Sequence, residues 1–350
     1  MKILQATHRY PPRTGGVETH VSEIATRLAD RGHEVEVFSA DAGRDVDSDA
    51  VVEGVRVRRF RSLAPGGAVH VAPQIALAVR RSNADVVHAH NYHSLPLAMA
   101  ALGVRDVRFV VTLHYHGESA SGLRDRLLSA YRPLGRWALG RADAVIAVSE
   151  WERGRLRTDF GVDATVIPNG IDVKRFAAAE PERRNRPYLL SVGRLEAYKG
   201  VQHVIRALEE VPEYDLVVAG TGPFRDDLEG IAREAGVDDR VDFLGYVDDD
   251  RLPGLYAGAA AYVTLSEFEA YGMTVGEALA AGTPCVTTTH GGLGGWSDQE
   301  GVVTVETATT AAIGAAVERA IGRPVAPTDL PGWGDVVDAV ETCYQAPTGN

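Results

Sequence analysis

Lysine is almost missing from this chain: of 36 basic residues in 350, only Lys2, Lys174 and Lys199 are lysines. A lysine inside a glycine-bounded turn is therefore informative here. Cysteine is scarce too. Cys285 and Cys343 lie far apart, with no Cys-x-x-Cys pair and no histidine cluster at zinc spacing, which excludes a disulfide framework or metal ribbon and predicts two free thiols. No basic leader with a long apolar run opens the chain, and residues 3–7 are too short for a signal or anchor. The expected setting is cytoplasmic and soluble, at most peripheral on the inner face of the cell membrane. A basic surplus is also lacking: the net charge is −12, which speaks against a nucleic-acid partner. Few lysines and runs such as Asp248-Asp-Asp250 suggest a salt-adapted surface, and that run reads as a charged loop before Arg251 rather than a metal motif.

What is present is apolar content of 45% over a length that suggests two domains. Short Val/Ile-rich runs alternate with longer amphipathic segments, the pattern of parallel sheets covered by helices. Strands are predicted over residues 2–7, 34–39, 55–59, 86–89, 108–113, 144–148 and 165–167, then over 188–192, 215–219, 241–244, 261–264, 284–287 and 301–305. Pro168-Asn169-Gly170 punctuates the chain, and residues 172–187, rich in charge and alanine, read as a linker. The division predicted is 1–171, linker 172–187, 188–330, and a terminal helix in 331–350. Residues 1–176 hold 24 Lys+Arg against 20 Asp+Glu, a net of +4; the remainder holds 12 against 28, a net of −16. The first half is the one expected to face something anionic.

The segment Ser266-Glu-Phe-Glu-Ala-Tyr-Gly-Met-Thr-Val-Gly-Glu277 places Glu269 in a strand-to-helix turn and Glu277 on the helix that follows Gly272. The first-turn amides of that helix, at Gly272, Met273 and Thr274, suit a phosphate. Glu277 can then accept from a ribose diol, which leaves Glu269 for a second polyol. In Ser191-Val-Gly-Arg-Leu-Glu-Ala-Tyr-Lys-Gly200, Arg194 and Lys199 offer a forked and a compact charge to the same anion. The ligand inferred is a nucleotide diphosphate sugar.

These segments resemble the retaining glycosyltransferases of family 4. The likeness extends to Pro11-Pro-Arg-Thr-Gly-Gly-Val-Glu-Thr-His20, Asp85-Val-Val-His-Ala-His90, Val111-Thr-Leu-His114, Ala142-Asp-Ala-Val-Ile-Ala-Val-Ser149 and Val166-Ile-Pro-Asn-Gly-Ile-Asp172. It implies the GT-B architecture, two Rossmann-like α/β/α domains facing across a cleft. Residues 1–171 would be the acceptor side and 188–330 the nucleotide-sugar side, with the terminal helix returning to the first domain. It implies a hexosyltransferase acting on a UDP- or GDP-sugar donor and a hydroxyl or phosphate acceptor, in lipid-linked glycan, glycolipid or cell-surface polysaccharide synthesis. No metal or other cofactor is implied, because the helix N-terminus, Arg194 and Lys199 replace the ion. His114 and Glu269 would orient the donor sugar, and Gly15 and Gly16 would lie near the donor phosphate or the acceptor.

Other residues leave alternatives open. His114 should project at the carboxyl edge of its strand. His116, two residues on, is a candidate for the acceptor, as is His90; His88 and His90 are expected to face alternate sides of a strand end. Gly220-Thr-Gly222 lacks the third glycine of a dinucleotide fingerprint, Arg225 standing there instead, which argues against a nicotinamide site. In residues 122–141, Leu123, Leu127, Tyr131, Leu134 and Ala138 share a helical face beside Arg124, Arg132 and Arg136. That face fits either an anionic membrane or the core, with Pro133 arguing for a break. Residues 291–296 lack the family's usual glutamate. A nucleotide-sugar epimerase or a non-catalytic nucleotide-sugar binder are the rival functions.

Overall fold

In this computed structural model, residues 1–63, 70–117, 122–325 and 330–346 are described, the side chains of 122–128 excepted. The chain divides into two compact units, Met1–Gly170 together with the terminal helix from Trp333, and Ile171–Gly332.

Among the described residues the first unit holds eight strands: β1 (Lys2–Thr7), β2 (Glu34–Ser39), β3 (Asp49–Val52), β4 (Val55–Arg59), β5 (Val86–His90), β6 (Arg108–Thr112), β7 (Ala144–Ala147) and β8 (Thr165–Val166). They form one sheet in the order β3-β4-β2-β1-β5-β6-β7-β8. All pairs are parallel except β3 with β4. Strand β3 has no counterpart in the sequence reading. It is short and polar at its start, and it exists because Glu53 and Gly54, both at positive φ (48° and 79°), turn the chain back on itself as a tight hairpin.

Among its described residues the second unit has six parallel strands: β9 (Tyr188–Val192), β10 (Asp215–Ala219), β11 (Val241–Gly245), β12 (Ala261–Thr264), β13 (Cys285–Thr288) and β14 (Val302–Val305), ordered β11-β10-β9-β12-β13-β14. Alternate residues feed two apolar layers. Leu189, Val218 and Val263 join one layer, Leu190, Val217 and Tyr262 the other. Burial on both faces is why these strands read as continuous apolar runs rather than as alternation.

The two sheets share one topological property. In each, the first strand is central and later strands add to its other side, so the chain's winding reverses at β1/β5 and at β9/β12. Loops leaving the carboxyl ends of two such neighbours diverge and open a crevice, the general ligand position of open α/β sheets.

Within the predicted linker 172–187, Val173–Ala177 is helical and capped by the Asp172 carboxylate accepting from the Arg175 N–H. One expectation for residues 122–141 needs correction. The helix Gly122–Leu139 runs through Pro133 without a break. Tyr131 and Leu134 are half-buried and Ala138 is buried, all packed on the unit's own core, with the Tyr131 ring 5.2 Å from Tyr92. Arg136 donates to Phe160 O and Arg132 pairs with Asp159. The visible half of this face is thus a core face and not one free to enter a membrane; Leu123, Arg124 and Leu127 lie outside the described side chains. Among the described residues no helix is long and apolar enough to cross a membrane. The final helix, Trp333–Gln345, packs within the first unit: Arg31 pairs with Asp338 and Glu341, and the Tyr344 hydroxyl lies 2.7 Å from His88 Nδ1.

Candidate functional site

At the β9/β12 reversal the two segments singled out in the sequence come together. Strand β9 ends at Val192 and turns through Gly193, whose φ of 144° few side chains tolerate, into Arg194. Gly220-Thr-Gly222 supports this turn. The Leu195 N–H donates to Thr221 O, and a Cβ at Gly220 or Gly222 would fall 1.8 or 2.2 Å from the carbonyl oxygens of Gly193 and Leu195. These glycines therefore serve backbone approach and not a dinucleotide. The segment continues through a single turn, Ala197–Lys199, to Gly200, where a Cβ would meet Leu265 O at 2.4 Å.

That contact brings in the loop after β12. The Glu267 N–H donates to Tyr198 O at 2.9 Å, the Tyr198 and Phe268 rings lie 5.7 Å apart, and Lys199 Nζ forms an ion pair with Glu269 Oε1. Both side chains of the pair are about a fifth exposed (22% each), so the charges sit at the crevice surface. Burial pulls the Lys199 pKa down, but Glu269, with Tyr198 and Glu196, more than offsets it, and the ammonium is held above its ordinary range. Arg194 is mostly exposed, with Nε 3.1 Å from Glu196. A pocket lined by Ser191, Gly193, Arg194, Lys199 and Thr264 opens here.

Gly272 sits at φ 90° and caps the helix Met273–Ala280, whose first turn contains no acidic residue. Its amides and dipole are accordingly not neutralised from within the helix. Thr274 Oγ1 accepts from the Tyr262 hydroxyl at 2.7 Å, and Met273 is half-buried beside it. Glu277 is half-buried one turn further on. Burial pushes its carboxyl up to about 6, while the Tyr256 hydroxyl, donating to Oε2 at 2.9 Å, pulls the other way.

Residues 291–296, left open by the sequence, brace the acidic loop. The Gly292 N–H donates to Glu269 O at 2.7 Å, Trp296 Nε1 donates to Tyr271 O at 2.7 Å, and a Cβ at Gly291 would lie 2.5 Å from Glu269 O. Tyr256 and this brace are the contributors that sequence reading missed. The repeated glycines at 291–295 were the one signal available for the second.

The first unit lines its own reversal differently. Gly15 and Gly16 do open the helix Gly16–Asp30, but Glu18 occupies its first turn, buried and 3.4 Å from His8 Nε2. His114 follows β6 at φ 48°, a left-handed conformation costly for a side-chain-bearing residue and often kept at functional positions. The adjacent Tyr115 N–H is held by Glu152, which also accepts from the Val148 N–H at 2.6 Å; burial pushes this carboxyl up to about 8. His116 is half-buried and stacks on His93 with ring centroids 4.1 Å apart. His88 and His90 do not face opposite sides. Residues two apart on a strand share a face, and their fully buried rings lie 4.0 Å apart.

His90 and His114 meet His20 from the first helix. Ring centroids are 4.6 Å apart for His20–His114 and 5.6 Å for His20–His90. Both nitrogens of His90 and Nε2 of His114 are buried with no hydrogen-bond partner among the described residues, and His20 lies within hydrogen-bond reach of the Asn169 side chain. No sequence spacing announces a cluster drawn from positions 20, 90 and 114.

Residues 14–175 match the model of Glycosyltransferase Family 4 and residues 172–324 that of Glycosyl transferases group 1. The glycogen synthase of Mycobacterium tuberculosis is 34% identical over 93% of this chain and 87% of its own length. The chain belongs to glycosyltransferase family 4. A GDP-mannose-dependent alpha-(1-6)-phosphatidylinositol monomannoside mannosyltransferase of M. tuberculosis is 30% identical over 83% of this chain and 81% of that protein. Sucrose-phosphate synthase from Thermosynechococcus elongatus superposes with a TM-score of 0.82 at 20% identity, covering 99% of this chain and 98% of that one. This glycosyltransferase is therefore an enzyme of GT-B fold.

Proposed function

We propose that this glycosyltransferase moves a hexose from a nucleoside diphosphate sugar, of the UDP or GDP type, to a saccharide or lipid-linked acceptor with retention of configuration. The observation that carries the reading is the meeting of Arg194 and the Lys199–Glu269 pair in the crevice between β9 and β12, in a sheet whose Met273–Ala280 helix keeps acid out of its first turn. The diphosphate takes the charges of Arg194 and Lys199 and the amides of Gly272, Met273 and Thr274. Negative charge grows on that group as it leaves, so fixed donors already aimed there lower the barrier without reorganising. No metal ion takes part in this step.

Glu277 accepts from the ribose diol, its free lone pairs complementing the bond from Tyr256. Glu269 keeps Lys199 in place and orients the donor sugar, with His114 as the second orienting group and no protein nucleophile. Gly15 and Gly16 take a supporting role, because Glu18 already occupies that helix start. His90 and His116 are placed on the acceptor side. The enzyme works in the cytoplasm in this reading, and any approach to an anionic membrane falls to basic side chains rather than to apolar insertion. The names of two relatives, a glycogen synthase and a phosphatidylinositol monomannoside mannosyltransferase, support keeping both acceptor classes in this reading.

Incubation with radiolabelled UDP- and GDP-sugars, an oligosaccharide pool and a lipid extract tests this. Label should appear in acceptor; label in an isomerised donor would make the protein an epimerase, and unchanged donor would make it a binder.

A further inference from the structure

We infer that Glu152 is a positioning residue for sugar transfer, acting through His114. The inference rests on the donor-sugar role given to His114 above. Glu152 is fully buried in the first turn of the helix Glu150–Phe160. Each of its carboxyl oxygens accepts one backbone N–H: Oε1 takes that of Tyr115, which follows His114, and Oε2 takes that of Val148 at 2.6 Å, just past the end of β7. Strands β6 and β7 are paired neighbours, so one side chain ties together the segments that leave their carboxyl ends.

The tie falls where the backbone needs one. His114 sits at φ 48°, and a residue that carries a side chain stays left-handed only where its surroundings over-determine it. On one flank the Tyr92 N–H donates to Leu113 O at 2.8 Å, and on the other Glu152 takes the Tyr115 N–H. The same helix reaches this loop a second time, because the Tyr115 hydroxyl donates to Asp159 Oδ2 at 2.9 Å. With both flanks pinned, the His114 ring is placed through its backbone. Its Nε2 is left without a partner among the described residues, free to meet a substrate hydroxyl.

A carboxyl group is what this task demands. Two N–H groups from separate segments need two acceptor oxygens, which a glutamate has and a glutamine, with one carbonyl, does not. Stability by itself does not call for the group, since burying it is costly, and desolvation works on it against the pull of its two N–H donors. The helix start helps to hold it in place: the Glu152 N–H donates to Ser149 Oγ at 3.1 Å, and the first-turn position favours an acidic side chain.

Steady-state kinetics with the UDP- or GDP-sugar that the enzyme transfers, beside calorimetry with bare UDP or GDP, test this. Glu152→Gln should lower kcat by roughly 10- to 100-fold, the scale of a misplaced orienting group, and leave donor KM and nucleotide affinity unchanged. In a His114→Ala background the same change should cost less than about threefold, because the two residues act as one unit. Unchanged kcat in Glu152→Gln, or losses that simply multiply in the double variant, overturns the inference. Unchanged transfer in His114→Ala would remove the orienting role of His114 and this inference with it, and leave the rest of the glycosyltransferase reading standing. Should Glu152→Gln not fold, NMR on the wild type decides it. Couplings across the hydrogen bonds from the Tyr115 and Val148 amide nitrogens to the Glu152 carboxyl carbon are expected, and the absence of either refutes the tie.

Discussion

The two units repeat one strand order and use it for opposite electrostatics. At the β9/β12 reversal the edge is charged, with Arg194, Lys199, Glu269 and Glu277 near the surface. At β1/β5 and along to β6 it is lined by imidazoles kept neutral by burial. The helix starts differ in the same sense: Gly272 opens onto a first turn free of acid, whereas Gly15 leads into Glu18. Topology thus fixes where a ligand lies, and the residues at the strand ends decide whether that ligand is an anion.

Three experiments would break or sharpen this contrast. The largest effect expected is acid instability confined to the first unit. Burial lowers His8 and His88 to about 3 from an ordinary value near 6.5. The folded form stays neutral while the unfolded chain takes up protons below 6.5, so stability is intact above that pH and falls as pH drops toward 3. The loss is about 1.4 kcal/mol per pH unit for each such group. Hydrogen exchange at pH 7 and pH 4.5 should show first-unit peptides losing protection while β9 to β14 hold; uniform loss would erase the distinction.

Next in size is the diphosphate charge. Lys199→Ala should lower kcat/KM by tenfold or more, a loss of roughly 1.5–3 kcal/mol for one charge-assisted contact, and Arg194→Ala should follow it. Kinetics unchanged in both would strip the charged edge of its proposed anion.

The smallest concerns Glu277. With its carboxyl near 6, nucleoside diphosphate affinity should fall several-fold between pH 7.5 and 5.5, as the group that accepts from the diol becomes protonated. Glu277→Gln should flatten that dependence, whereas Glu269→Gln should leave nucleotide affinity intact and slow transfer. Calorimetry showing the reverse would exchange the two roles.

Much of the second unit was legible in advance. Its apolar runs are bounded by glycine turns, and 188–192, 215–219 and 261–264 are strands with the predicted limits. The helix after Gly272 was announced by a glycine at the position where the backbone takes φ 90°. The first unit was less legible where local signals conflict. Residues 49–52 are too short to be read as a strand without the partner that pairs them, and the stripe through Tyr131, Leu134 and Ala138 has the same spacing whether it meets lipid or core.

By itself, then, the sequence determined the alternating α/β plan, the places where glycines let backbone approach, and which residues carry charge, because each follows from neighbours along the chain. Only the tertiary structure decided which distant segments share a strand edge. Lys199 meets Glu269 across 70 residues because β9 and β12 are neighbours at a winding reversal, and Gly291 and Gly292 brace Glu269 from yet another loop. His20, His90 and His114 converge for the same reason, in a cluster whose ring geometry is a property of packing and not of spacing.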